Sequence, residues 1–357
     1  MSLNKSNGRQ AFASLLVAIS ENKVLSVGPN GESATAVMEY GLTREEFQSV
    51  RQLGATAAIV MHYGGNDWSR AQIAGLRAEF TEMGVDVVAV TDAGFDPVKQ
   101  VADIEDVLAL HPDVIVSIPT DPIVTADAYR AASAAGVKLV FMDNVPKGAK
   151  AGVDYVSVVS TDNFGNGVVC ADLMAEALGG QGTVGMVVHD ADFFVTRQRR
   201  EAFEATIRQN YPRIKIVDEI GVAGPDFAAM AQFEASAMLE RHPDLNGIWA
   251  VWDVLAQGVL AASRIAGRND LVVTTVDLGL NAALELARGG VVSGIGAQRP
   301  FDQGVAEAEL AAYGLLGKEA PPYVVLPALP VSRTGVLEAW ESVYHRLPPS
   351  ELVEAAM

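Results

Sequence analysis

The feature that most constrains the fold is a series of short apolar, β-branched runs that recur from Thr56 onward with helical patterns between them. They read TAAIVMH, VDVVAVT, DVIVSIP, VKLVFMD, DYVSVVS, TVGMVV, IKIVDEI, GIWAVW, LVVTTV, VVSGIGA and PYVVLP. The runs are continuous instead of alternating, which is how strands buried on both faces of a parallel sheet read. Between them, stretches such as Ser69 to Met83 and Ala228 to Arg241 predict helices, so the expected class is α/β with doubly wound, Rossmann-like parallel sheets. Eleven strands are more than one such sheet normally carries, and 357 residues are more than one compact core supports. Two lobes are expected. The Gly-, Pro- and Lys-rich stretch NVPKGAKAGVDY is the clearest composition break, and the first lobe should end shortly after it.

Charge and motifs exclude most chemistries. With 44 acidic against 26 basic residues, a formal net charge of −18 and no basic run, nothing is available to displace counterions from a phosphate backbone, so no nucleic-acid partner is expected. Cys170 is the only cysteine. It permits no internal disulfide and no thiolate metal cluster, and is expected to fill a small buried space on a helix. Gly180-x-Gly182-x-x-Gly185 has the spacing of a dinucleotide fingerprint, but it precedes the run TVGMVV and so cannot cradle a pyrophosphate at a helix N-terminus. No phosphate-binding loop, nucleophile elbow or His-Glu-x-x-His pattern is present, and the five histidines lack metal-ligand spacing. No catalytic residue, metal or cofactor is therefore expected, and the chain is read as a non-enzyme. Residues 11–20 carry both an export-signal pattern after Lys5 and Arg9 and the helical stripe Phe12, Leu15, Leu16, Ile19. A folded helix is the favoured reading, any true signal having been removed. No run reaches the ~18 apolar residues of a membrane span.

In doubly wound sheets ligands bind beyond the carboxyl ends of the strands, and here the residues that follow the runs are polar and aromatic. They include His62, Asn66, Trp68, Asp121, Asp143, Asn144, Phe227, Trp252, Asp253, Asp277 and Gln298, with His189 a further candidate. Singly each acid or amide could be a helix cap. Together they suit a neutral polyhydroxylated ligand, since carboxylates and amides pair with hydroxyls while aromatic faces cover C–H surfaces. Within TRQRREAF, a helix opened by Thr196 would pair Arg197 with Glu201 and Arg200 with Glu204 at i,i+4. That leaves Arg199 without a local carboxylate, on the apolar face above Phe203. It is either an arginine whose stem packs while its head reaches water or a clamp for a polar ligand.

From about Ala55 to Leu326 the chain resembles the type I periplasmic sugar-binding proteins of bacterial ABC transporters, the ribose-binding group whose ligand domain is shared with lac-repressor-like regulators. The resemblance is carried by DVIVSIPTDP, VKLVFMDN, VVSTDNFGNG, TRQRREAF, GIWAVWDVLAQG, VVTTVDLG and GIGAQRPFDQG, in the family's order. It implies the type I periplasmic binding protein fold, two lobes joined by a three-strand hinge with changes of lobe near Val159 to Asp162, Ala297 to Gln298 and Leu326 to Ala328. The expected boundaries are an N-terminal extension 1–54, one lobe of 55–160 plus 298–327, and another of 161–297 plus 328–357. The resemblance further implies Asn66 and Trp68 in the first binding loop, Asp143 as a hydroxyl-pairing acid, Arg199 as a clamp whose partner is the ligand, Phe227 as a stacking ring, and Asp277 and Gln298 as contacts near the hinge. Asn144 stands where the family often has arginine, Trp252 where it often has asparagine, and His62 where a small polar residue is common. The implied function is capture of a monosaccharide or polyol by a monomeric, exported periplasmic protein that delivers it to a membrane permease. A regulator with the same ligand domain and a sugar-acting α/β enzyme are the alternatives; the first lacks a basic helix-turn-helix pattern here, the second a nucleophile or cofactor loop.

Overall fold

The computed structural model describes residues 24–191 and 193–357; the readings made for residues 11–20 lie outside them. Contacts divide the chain into a first unit of residues 27–161 and 299–326 and a second that includes 162–298 and 327–357 together with described residues 24–26. In chain order the first unit holds β1 (Thr35–Ala36), α1 (Arg44–Leu53), β2 (Thr56–Met61), α2 (Asp67–Glu82), β3 (Asp86–Asp92), α3 (Pro97–Leu108), β4 (Val114–Ser117), α4 (Ala126–Ala134), β5 (Lys138–Met142) and β6 (Ser157–Thr161). The second holds α5 (Asn163–Ala177), β7 (Gly182–His189), α6 (Phe194–Asn210), β8 (Ile214–Val222), α7 (Phe227–Arg241), β9 (Gly247–Ala250), α8 (Asp253–Ile265), β10 (Val272–Val276), α9 (Leu280–Ala287) and β11 (Val292–Ala297). The chain returns to the first for α10 (Pro300–Leu316) and β12 (Tyr323–Leu326), and finishes in the second with β13 (Leu329–Val331), α11 (Val336–Tyr344) and α12 (Ser350–Ala356).

All eleven apolar runs form strands, and they build two sheets, β1-β12-β6-β5-β4-β2-β3 and β13-β11-β10-β9-β7-β8. Every pairing is parallel except β13 with β11. Central strands such as β4, β6 and β9 are buried along their whole length. The edge strands β3 and β8 instead alternate between covered and open positions, because an edge strand is flanked on one side only; their runs are apolar without being buried on both faces. The glycine spacing in GGQGTVG enters β7, as its position before a strand requires.

The segment expected as an extension up to residue 54 belongs, from residue 27 onward, to the first unit. β1 pairs with β12, Tyr40 meets Tyr313 edge to face at 6.1 Å, and the Gly41 carbonyl accepts from the Tyr313 hydroxyl at 2.9 Å. Thr43 and Glu46 form a reciprocal capping box that starts α1. A change of unit after Ser26 is not among the three that the resemblance implies. It arises because Asp162 caps α5 through Gly165 N–H and also accepts from Leu25 N–H, Ser26 N–H and the Ser26 hydroxyl, at 2.7–2.9 Å.

Close helix approaches are made at glycines. In the first unit a Cβ on Gly75 of α2 would lie 2.0 Å from the Phe301 carbonyl oxygen, and one on Gly304 of α10 would lie 2.4 Å from that of Gln72. Gly75→Val should therefore push α2 and α10 apart and destabilise by about 1–3 kcal/mol, the usual range for overpacking. Gly41→Ala, at a position with nothing within 4 Å, should stay within about 0.5 kcal/mol. Thermal unfolding of the two variants makes the comparison; equal melting temperatures would mean that the α2–α10 contact is loose.

Candidate functional site

The carboxyl ends of the first sheet gather six of the sequence-predicted residues. His62 follows β2, half-buried, with its ring edge-to-face against Trp68 at 6.1 Å and Phe95 at 5.0 Å. Burial pushes the imidazole down to about 4, against the opposing pull of Asp92, so the ring is neutral at pH 7. Asn66 caps α2, its Oδ1 accepting from Ser69 N–H at 2.8 Å. Asp121, after β4, turns the chain by accepting from Ile123 and Val124 N–H at 2.7 and 2.8 Å. These two carry out the cap and turn roles open to any such residue after a strand. Asp143, after β5, is buried in a left-handed conformation with φ 55°, and its Oδ1 accepts from the Ser160 hydroxyl at 2.7 Å. Asn144 beside it is buried with an unpartnered Nδ2.

Beneath Asp143 lies a group that the sequence reading does not contain. Gln303 of α10 donates to the Val159 carbonyl at 3.2 Å and reaches Asp143 Oδ1 at 3.4 Å. Glu307, one turn on and fully buried, accepts from Gln72 Nε2 at 2.8 Å, and its Oε2 is unpartnered. Burial, followed by the charge of Asp143, holds this carboxyl well above the usual carboxylate range. A glutamate in the helical stretch QGVAEAEL, which also holds Glu309, gives no sign of burial, so only its neighbours reveal it.

The second sheet gathers the other six. Arg199 is 3% exposed. Its Nε donates to Asn163 Oδ1 at 2.8 Å, and one terminal nitrogen donates to the Val251 carbonyl at 3.3 Å and lies 3.9 Å from Asp277. The carboxylate near it is therefore a residue of the same unit, brought by β10, which the i,i+4 arithmetic could not register. The same arithmetic misplaces Arg200, which pairs with Glu219 of β8 at 2.6 Å while Glu204 pairs with Arg208; neighbouring strands and the next turn compete for these side chains. Arg197 and Arg200 are exposed. Gly167 of α5 allows the approach that brings Asn163 to Arg199, since a Cβ there would lie 2.3 Å from the Arg199 carbonyl oxygen. Asp277, after β10, repeats the left-handed conformation of Asp143 with φ 74°, and its Oδ1 accepts from Gln298 Nε2 at 2.5 Å. Its carboxyl is raised by burial and lowered in turn by Arg199 and Gln298. Phe227 and Trp252 meet edge to face at 5.3 Å, and Asp253 opens α8, buried. Among the described residues no group of three or more His, Cys, Asp or Glu side chains could hold a metal ion, and no helix is long and apolar enough to cross a membrane.

A family model described as a periplasmic binding protein domain matches residues 57–319. The chain belongs to that family. This periplasmic binding protein is 27% identical over 253 residues to the ribose import binding protein of Bacillus subtilis strain 168, covering 71% of this chain and 79% of that one. Among solved structures it is similar to an ABC sugar transporter subunit from Rhodobacter sphaeroides, with TM-score 0.69 and 25% identity over 78% of this chain and 98% of the other. It is also similar to an ABC transporter solute-binding protein from Mycobacterium smegmatis with bound glycerol, with TM-score 0.71 and 26% identity over 79% and 95%.

Glu307 offers a test of the buried cluster. Its folded-state value lies above the unfolded one near 4.5, so the stability tied to its proton is fully present below pH 4.5 and is lost as pH rises toward the folded value, by up to about 1.4 kcal/mol per pH unit. Glu307→Gln needs no proton. It should match the wild type at pH 4.5 and be increasingly more stable than it from pH 5 to pH 8, read as melting temperature against pH. A gap that does not change with pH would show that Glu307 is ionised in the folded chain.

Proposed function

We propose that this chain is the solute-binding component of an ABC importer. It takes a neutral monosaccharide or polyol at these strand-end residues and presents it to a membrane permease. It works in the periplasm, as a monomer and without catalysis. The observation that carries the reading is Arg199. Its hydrogen bonds to Asn163 and Val251 use two of the five guanidinium donors. The nitrogen that meets the Val251 carbonyl also lies 3.9 Å from Asp277, whose Oδ1 accepts from Gln298. A guanidinium and a carboxylate after β7 and β10, with aromatic rings at Phe227 and Trp252 after neighbouring strands, suit a ligand that carries hydroxyls on a C–H framework. The family and the ribose- and glycerol-binding descriptions of its similar proteins support the ligand class.

Calorimetric titration with D-ribose, D-allose, D-arabinose and allitol tests the proposal. At least one should bind the wild type. Arg199→Ala should weaken that binding by roughly 30-fold or more, since losing a charged hydrogen-bond partner in a buried site costs about 2–5 kcal/mol. Arg197→Ala, on the exposed face of the same helix, should bind like the wild type. Arg199→Ala should also melt at a lower temperature without ligand, because Asn163 Oδ1 and the Val251 carbonyl each lose a donor. Equal affinities of the two variants would return Arg199 to a structural role.

A further inference from the structure

The two sheets are wound alike. Read from the edge, β3-β2-β4-β5-β6 and β8-β7-β9-β10-β11 follow the same order, so β2 corresponds to β7 and β3 to β8. Matching places hold matching side chains. His62 follows β2 and His189 ends β7; Phe95 follows β3 and Phe227 opens the helix after β8. In each pair the rings meet edge to face, at 5.0 Å and 86° for His62 with Phe95 and at 5.6 Å and 72° for His189 with Phe227. A tryptophan flanks each imidazole as well, Trp68 at 6.1 Å and Trp252 at 5.3 Å. Phe193 adds a third ring beside His189 at 5.8 Å.

In both histidines Nδ1 is buried without a hydrogen-bond partner. A proton there would be a buried donor with nothing to receive it, which is costlier than leaving a lone pair unmet. The proton therefore sits on Nε2, and the ring stays uncharged. Burial pushes His189 below the ordinary histidine range, with Asp190 pulling the other way, as Asp92 does for His62. His189 is thus a half-buried imidazole with one nitrogen sealed by aromatic rings and the other left to donate. It is continuous with the Arg199 group, since Trp252 directly follows the residue whose carbonyl Arg199 holds.

We infer that His189 is a specificity-determining ligand contact, its Nε2–H donating to a hydroxyl or ring oxygen of the sugar or polyol while Phe227 and Trp252 set the angle of the ring. The inference rests on the solute-binding reading above and adds to it a residue that donates without bringing charge. The contact then favours neutral oxygens over an acidic or phosphorylated group, for which a cation would be the better partner.

The test uses His189→Phe, which keeps the aromatic box and removes the donor, and His189→Gln, which keeps a donor. Titration with D-ribose, D-allose, D-arabinose and allitol should show His189→Phe weaker by about 5- to 100-fold for the sugars that the wild type binds, the range for a ligand oxygen left without its neutral partner, and His189→Gln between the two. Nitrogen-15 NMR of the imidazole at pH 7 should show the Nε2–H tautomer, with a shift at Nε2 when the tightest of the four is added. Wild-type affinity in His189→Phe for every sugar bound, or a proton found on Nδ1, overturns the inference alone. A wild type that takes none of the four overturns the solute-binding reading and this inference with it.

Discussion

A parallel strand covered by helices on both faces can place acids, amides and charges only near its ends, with small hydroxyls alone tolerated inside, and the rest of this molecule follows from that restriction. Strands β4, β6 and β9 are buried from first residue to last. Hydroxyls within them turn inward to backbone carbonyls, as Ser117 does to Val60 at 2.8 Å. Acids, amides and imidazoles collect in the loops after the strands and in the helices that follow them, where Arg199, Gln303 and Glu307 are buried. Because helices follow those loops, many of the polar residues do double service as caps, and Asn66, Asp162 and Asp226 show how readily a helix claims a side chain placed there.

Residues that the helices do not claim are held by longer-range partners. Two aspartates at corresponding strand ends adopt the left-handed conformation that asparagine and aspartate tolerate best. Asp143 lies over Gln303 and over Glu307, whose carboxyl burial holds well above the usual carboxylate range; Asp277 lies beside Arg199 and Gln298. A buried charge survives only with such company. In the first unit burial and the neighbouring charge of Asp143 raise the Glu307 carboxyl. In the second the charge is balanced by a guanidinium.

The architecture was legible in the amino-acid sequence because it rests on composition over short windows. Eleven apolar runs are eleven strands, and the count alone requires two sheets. The places where polar residues cluster were legible for the same reason, since strand ends are punctuated by loss of apolar character. Arg199 stood out because local pairing left it over. Where pairing reached across the sheet, sequence distance carried no information: Arg200 goes to Glu219 and Arg199 lies by Asp277, 78 positions away. Glu307 was invisible, because a glutamate among alanines reads as the wet face of a helix until Gln72 and Asp143 are set against it.

What the sequence by itself determined is therefore the class of fold, eleven of the thirteen strands of the described residues and the strand ends at which chemistry collects, all consequences of burying apolar runs without exposing backbone. Tertiary structure alone decided the raised carboxyl of Glu307, the neutral rings of His62 and His189, the carboxylate beside Arg199 and the inclusion of residues 27–54 in the first unit. These depend on desolvation and on contacts between residues far apart in the chain, and such energies exist only once the strands have been laid side by side.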